Sequence, residues 1–333
     1  MKKEPMAICD QDEKYAYRLQ EMLAQRESFP FEVSVYTDIN REGMQSGELS
    51  RKYRLILAGE PFYELLQQDQ REDALLLLLK DREEGQKADA IWKYQSGDRI
   101  RQQIMEYFSE QKNAGTSFVP GRKQTALIGV FSPVCREIQT SFSFLMGQFL
   151  AKKASVLYLN FEPFSGLSKL LDTAEGRDLT DLVYYLEGGR ERLVYKLESM
   201  VRNVNGLDYI SSAFSFVDLG QVKEESWLLL IRTLREMGNY DYILLDLSEM
   251  VQGVLNVLRE CERVYTISDR EGMALTRMEQ YEELLQHLEY EDILRHTKKC
   301  DLPKFRKLPS NMEELPYGDL AGYVRGLLQE EFA

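Results

Sequence analysis

Histidine and cysteine are scarce in this chain. Its 333 residues hold two histidines and four cysteines, at positions 9, 135, 261 and 300, with no CxxC pair. That excludes a disulfide scaffold and points to a reducing, cytoplasmic setting. It also removes the usual materials of a zinc site, because the spacing of His287, His296 and Cys300 fits no common zinc pattern. With so few histidines and no G-x-S-x-G motif, a Ser-His-Asp hydrolase has no support. Cations are in deficit too: 42 Lys and Arg stand against 55 Asp and Glu, for a net charge of −13. Nonspecific binding to nucleic acid or anionic lipid, which needs basic patches, is disfavoured. Long apolar runs are missing. The leucines at 75–79 are too few to cross a bilayer, and the N-terminal MKKEPMAICDQDE has no apolar core of signal-peptide length.

What is present is the material of a folded α/β protein long enough for two domains, with 44% hydrophobic and 29% charged residues. The 19 tyrosines and 15 phenylalanines are read as core and interface packing rather than a stacking platform for bases. Met6–Cys9 is a short buried-strand pattern ending in Asp10-Gln11-Asp12. A helix pattern follows from 13 to 25, with Tyr15, Leu19, Met22 and Leu23 on one face. Residues 33–36, 54–58, 74–79 and 91–94 read as further strands, and 98–110 as a helix. Strands alternating with helices predict a parallel sheet with helices on both faces.

Acid residues after the first strand and a lysine after the last resemble a response-regulator receiver. In that family an acid pair binds magnesium, and an aspartate ending the third strand takes the phosphoryl group. Here Asp10 matches one acid, Gln11 replaces the other, Gly59 falls at the phospho-acceptor position, and Lys93 matches the lysine. Glycine cannot act as a carboxylate nucleophile, so the resemblance implies a receiver-shaped (flavodoxin-like) docking domain over 1–112 without phosphorylation. A receiver-type signalling protein is the weaker reading. Asp10 and Asp12 are two carboxylates without a third ligand, thin material for a cation site. Residues 113–124, rich in glycine and lacking apolar periodicity, read as a linker.

The second domain, 125–333, opens on TALIGVFSPVCREIQTSF. An apolar run from Thr125 to Phe131 breaks at Ser132-Pro133, and a helix pattern starts at Thr140, with Phe142, Leu145, Met146, Phe149 and Leu150 on one face. Strand, loop, helix is the layout of a phosphate-binding loop. Further strands are expected at 155–159, 209–210, 242–245 and 263–267. Helices are expected at 179–186, 192–201, 224–237, 254–260 and 274–288. The end of the chain, 319–332, has an apolar face of Leu320, Tyr323, Val324, Leu327 and Leu328. Its acidic close, Glu330-Glu331, favours packing on the body or a partner over membrane insertion. The basic stretch Lys298–Lys307 is read as a solvated loop.

This order resembles the ParA/MinD family of P-loop ATPases, and within it the TadZ/CpaE branch, which joins a degenerate receiver to an ATPase-like domain and helps position pilus assembly machinery. The family's KGGxGK[ST][ST] lies over Val134–Ser141. Val134 stands for the signature lysine; Cys135, Arg136 and Ile138 for the glycines; Gln139 for the phosphate lysine; Thr140 and Ser141 match. The family's DxDPxxG lies over 160–166, where Glu162, Pro163 and Gly166 are compatible and Asn160 lacks the charge. Its DYIIID strand matches 241–246, so Asp246 corresponds to the acid that holds the magnesium-bound water.

Glycines let backbone N–H groups curl around phosphates, and β-branched Ile138 resists such a curl. Gln139 carries no charge to offset a triphosphate, and Glu137 cancels much of the field of Arg136. Phosphoryl transfer, which depends on charge stabilisation and positioning, suffers most. The expectation is a pseudo-ATPase with no catalytic residue and with no cofactor or weakly held ATP/Mg, Thr140 and Asp246 being where the ion would sit. The resemblance implies a cytoplasmic homodimer, recruited to the cell pole or the inner face of the membrane, that gathers pilus and secretion assembly proteins. The alternative is an ATP-binding dimerisation switch built on Arg136, Thr140, Glu162 and Asp246.

Overall fold

The computed structural model describes residues 3–26, 28–38, 48–67, 74–81, 90–110, 124–134, 136–171, 177–187, 189–268, 272–302 and 311–332. The chain divides into two compact units: Met1–Val119 with Gly189–Ser199, and Pro120–Gly188 with Met200–Ala333.

The first unit carries β1 (Glu4–Cys9), β2 (Phe31–Tyr36), β3 (Leu55–Gly59), β4 (Leu75–Lys80) and β5 (Ala90–Trp92). They pair in parallel in the order β2-β1-β3-β4-β5. Successive side chains of a strand point to opposite faces, and the sequence uses both. Met6 and Ile8 of β1 join Leu55, Leu57, Leu77 and Leu79 in one core under the helices Glu13–Ala24 and Gly97–Glu110. Ala7 and Cys9 join Ile56, Ala58, Phe62 and Leu66 in the other. From β1 the chain steps outward to β2 and then back past β1 to β3, so the carboxyl ends of the parallel β1 and β3 flank the crevice where doubly wound sheets place their sites.

One helix of this unit comes from far along the chain. Arg190–Met200 follows the helix Leu179–Glu187 in sequence, yet Gly189–Ser199 lies with the first unit, whereas the sequence reading keeps this segment in the second domain. Tyr195 packs edge-on against Phe108 at 5.0 Å between ring centroids. Arg101 Nη1 donates to the Glu198 carbonyl at 2.7 Å and to Glu198 Oε2 at 3.2 Å.

The second unit is built on β6 (Ala126–Val130), β7 (Val156–Asn160), β8 (Arg202–Val204), β9 (Leu207–Ile210), β10 (Tyr242–Asp246), β11 (Arg263–Ser268) and β12 (Thr297–Asp301), in the order β12-β11-β6-β10-β7-β9-β8. All pairs are parallel except β8 with β9. That hairpin turns on Asn205 (φ 52°) and Gly206 (φ 86°), the Asn-Gly pair whose positive φ angles suit a two-residue hairpin. The interior strands are near-continuous apolar runs because both of their faces are covered.

The helix Arg136–Leu150 begins one turn earlier than its apolar periodicity suggested, since nothing in Arg136–Gln139 breaks a helix. The helix Asp319–Glu331 packs against it, burying Leu320, Ala321, Val324 and Leu327 in the shared core. Thr297–Asp301 corrects the reading of Lys298–Lys307 as a loop: its first residues form an edge strand, and 303–310 lie outside the described residues. Lys298 pairs with Glu331 at 3.2 Å and Lys299 pairs with Glu282, a charged edge of the kind that discourages strand addition. No described helix is long and apolar enough to cross a membrane.

Candidate functional site

The register of three neighbouring strands brings the candidate residues together. Asp246 at the end of β10 pairs across to Val130 of β6 and to Asn160 of β7. The helix that follows β6 starts at Arg136, so Gln139 falls in its first turn, directly above these strand ends.

Gln139 takes up the Asp246 carboxylate. Gln139 Nε2 donates to Asp246 Oδ1 at 2.7 Å and to the Leu247 carbonyl at 2.9 Å. Asp246 Oδ2 accepts from the Tyr158 hydroxyl at 2.7 Å and from Asn160 Nδ2 at 2.9 Å. Asn160 Oδ1 accepts from the Glu162 backbone N–H at 3.0 Å, which folds the loop after β7 back onto the cluster. Gln139, Asn160, Tyr158 and Asp246 are all 0% exposed, and Thr140, Ser141 and Glu162 are buried. Burial raises the Asp246 carboxyl above its ordinary range, while its bonds from Gln139, Tyr158, Ser143 and Thr140 hold part of that rise back. Burial, reinforced by the neighbouring Asp246 charge, pushes the Tyr158 phenol well above its usual value.

Of the predicted nucleotide-site residues, Gln139, Thr140, Ser141, Glu162 and Asp246 therefore do converge. Arg136 is the first residue of the helix, and Cys135 lies outside the described residues. Tyr158, Asn160 and Ser143 belong to the cluster as donors, a role the sequence reading missed. Tyr158 lies two residues before Asn160, on the same face of β7, and that period of two was the available signal.

A Mg·triphosphate does not fit these residues as they stand. Both Asp246 oxygens already accept from neutral side-chain donors, and no lysine lies in Val134–Ser141. Among the described residues, every glycine with positive φ lies outside the loop that follows β6. The arrangement can hold a buried carboxylate in place; it does not offer that carboxylate to a metal-bound water. Gln139 Oε1 is buried without a hydrogen-bond partner among the described residues.

The second predicted constellation sits in the first unit. Asp10, Gly59 and Lys93 come together at the carboxyl ends of β1, β3 and β5. Lys93 Nζ lies 2.6 Å from Asp10 Oδ2 and 2.8 Å from Asp81 Oδ1. Burial works against the Lys93 ammonium, but the two carboxylates outweigh it and hold its pKa above the ordinary value. Asp81, which follows β4 as Asp10 follows β1, was missed. Asp12 takes another role: its Oδ1 accepts from the Tyr15 N–H at 3.0 Å and caps the helix Glu13–Ala24. A β-carbon on Gly59 would stand 2.9 Å from Asp10 Oδ2, so Asp10 itself fills the space over the acceptor position. Among the described residues no three His, Cys, Asp or Glu side chains are grouped to hold a metal ion.

Neither a protein-family model nor a curated protein matches the chain. Solved structures similar to it include a ParA family ATPase from Chlorobium tepidum TLS, at 19% identity and a TM-score of 0.46, over 62% of this chain and 93% of that one. The MinD cell division protein of Aquifex aeolicus follows at 15% identity and a TM-score of 0.46, over 62% and 97%. The septum site-determining protein MinD of Pyrococcus horikoshii OT3, complexed with Mg-ADP, matches at 16% identity and a TM-score of 0.43, over 62% and 96%. At these scores the likeness is one of outline, and the residues of the site carry the functional reading.

Proposed function

We propose that the chain is a non-catalytic, ParA/MinD-like scaffold or localisation factor: a pseudo-ATPase unit joined to a receiver-shaped unit without phosphorylation chemistry. One observation carries this reading. The side chain at the phosphate-lysine position, Gln139, is turned onto the carboxylate that would otherwise serve magnesium, at 2.7 Å, with both groups shut away from solvent. The strand order β2-β1-β3-β4-β5 supports a flavodoxin-like docking unit. Lys93 on Asp10, and Gly59 where an aspartate would be needed, support its being silent.

Such a protein acts by what it holds. The TadZ/CpaE resemblance suggests a cytoplasmic homodimer that gathers pilus (type IV/Flp) and secretion assembly proteins at a cell pole or at the inner face of the membrane. Without a nucleotide between subunits, apolar surface must hold the dimer. Phe164 and Phe214, 84% and 95% exposed on the loops after β7 and β9, supply such surface at the carboxyl end of the sheet, where Asp246 lies. Calorimetric titration with Mg·ATP, paired with light scattering, tests the reading. The expected result is no heat of binding at millimolar nucleotide and a dimer whose mass does not change with Mg·ATP. Micromolar binding lost in Thr140→Ala and Asp246→Ala, with dimers forming only on ATP, would establish the switch instead.

A further inference from the structure

The second unit has a groove at the opposite end of β10 from Asp246. Tyr242 opens that strand and Asp246 closes it, about 13 Å apart at the usual rise of a strand. The groove has a volume of about 530 Å³ and lies between the end of the helix Arg136–Leu150, the turn that follows it, and the last turns of the helix Asp319–Glu331. Clefts of roughly 300–1,000 Å³ are the usual size of binding sites.

Its floor is apolar and ring-lined. Phe149, Tyr242, Leu328 and Phe332 are half-buried there, and Tyr242 meets Phe332 edge-on at 5.6 Å. Its rim is cationic. Lys152, Lys153 and Arg325 are exposed and form no ion pair among the described residues, and no described carboxylate lines the groove. Lys152 Nζ stands 4.9 Å from the centre of the Phe149 ring and Arg325 Cζ stands 5.2 Å from it. Cation–π contacts of this kind hold the charges over the apolar floor. Three clustered cations without carboxylates run against the trend of a chain with net charge −13, in which other exposed cations such as Arg232, Arg259 and Lys299 are paired.

We propose that this groove binds an acidic peptide segment of a partner protein, with one bulky apolar side chain seated on the ring-lined floor. The charge complement decides the class. Carboxylates meet the three rim cations, and an aromatic or aliphatic side chain covers Phe149, Tyr242 and Phe332, where desolvated rings give the largest contribution. The open side of the groove suits a chain segment lying across it. Three cations in so acidic a protein are too few to hold a nucleic acid backbone. The assignment is independent of the closed polar cluster, so it stands or falls apart from the pseudo-ATPase reading.

Fluorescence anisotropy on the full chain tests it, with a labelled short peptide carrying glutamates around a central phenylalanine. Saturable, salt-sensitive binding is expected. It should weaken about tenfold when glutamines replace the glutamates and by a similar factor in Lys152→Glu/Arg325→Glu, whose Tm should fall by only a few degrees, because both residues are exposed and lose no more than their contacts with the Phe149 ring. Replacing the central phenylalanine by alanine should weaken binding too. The milder Lys152→Gln/Arg325→Gln should fall between. Absence of saturable binding, equal affinity for the glutamine peptide, or undiminished binding by the charge-reversed variant overturns the proposal. So does cosedimentation with phosphatidylglycerol vesicles that is lost in Lys152→Glu/Arg325→Glu and that the acidic peptide fails to compete away, since that assigns the groove to lipid.

Discussion

Gln139 Nε2 lies 2.7 Å from Asp246 Oδ1, across the space between the helix after β6 and the end of β10, and neither side chain is exposed. A buried carboxylate of this kind depends on every donor it has. Removing one leaves Asp246 undersolvated and opens a cavity beside it, so Gln139→Ala should destabilise the second unit by about 2–4 kcal/mol. Urea denaturation followed by tryptophan fluorescence in a Trp92→Phe background reads this through Trp227, which is buried in that unit. A loss under about half a kcal/mol would show that the bond contributes little. Gln139→Lys, which reinstates the charge but not the glycines, should give no ATP hydrolysis in a phosphate-release assay.

Because burial raises the Asp246 carboxyl above its ordinary value, its ionisation opposes folding. The native state keeps the proton more firmly than the unfolded chain. The cost is therefore absent below the unfolded carboxylate value and grows as pH rises through the interval up to the raised folded value. Asp246→Asn removes that titration. The stability of Asp246→Asn relative to the parent should rise as pH is taken upward from about 4 and level off once the parent carboxylate is ionised. Urea midpoints of the two proteins across that range decide the matter: a difference that does not vary with pH, or that shrinks on raising it, contradicts the assignment.

Much of the fold could be read from residue patterns, and the particulars of the site could not. The apolar runs of β6, β7 and β10 and the 3.6-residue faces of the helices mark their elements because burial on both faces leaves a continuous signature. The hairpin β8–β9 carries its own local signal in the Asn-Gly pair of Val204-Asn205-Gly206-Leu207. Residues 189–199 carry a sound helical pattern, but nothing local says that Tyr195 and Glu198 pack in the first unit. The donors to Asp246 come from two strands and a helix, and only the order β6-β10-β7 makes them neighbours. A motif alignment shows that the lysine is gone; it does not show that Gln139 has turned to the acid.

Gly59 and Lys93 offer a separate test in the first unit. Gly59→Ala forces a β-carbon to within 2.9 Å of Asp10 Oδ2, so Asp10 or the strand must shift, at a cost of about 1–3 kcal/mol. Gly59→Asp adds a second carboxylate against Asp10 and should cost more without creating a phosphorylation site; acetyl phosphate should leave its mass unchanged on an intact-mass spectrum. Lys93→Met strips the buried Asp10 of its cation and should cost roughly 3 kcal/mol. Near-parental stability in all three would mean that the cluster is loose.

Arg101 and Glu198 give the sharpest structural prediction, because both are 0% exposed and 97 positions apart in the chain. Taking two charges out of water is costly, and their attraction repays it only while both are present. Arg101→Met alone leaves a buried carboxylate, and Glu198→Leu alone leaves a buried guanidinium, so each should destabilise the first unit by about 3–5 kcal/mol. The double variant leaves neither charge and fills the space with apolar groups. It should recover most of that loss, so that the double-mutant cycle gives a coupling energy of the same order. Thermal unfolding of the four proteins supplies the cycle. Strict additivity would mean that the helix Arg190–Met200 is not held to Gly97–Glu110 by this pair, and its place in the first unit would then rest on Tyr195 and its apolar neighbours alone.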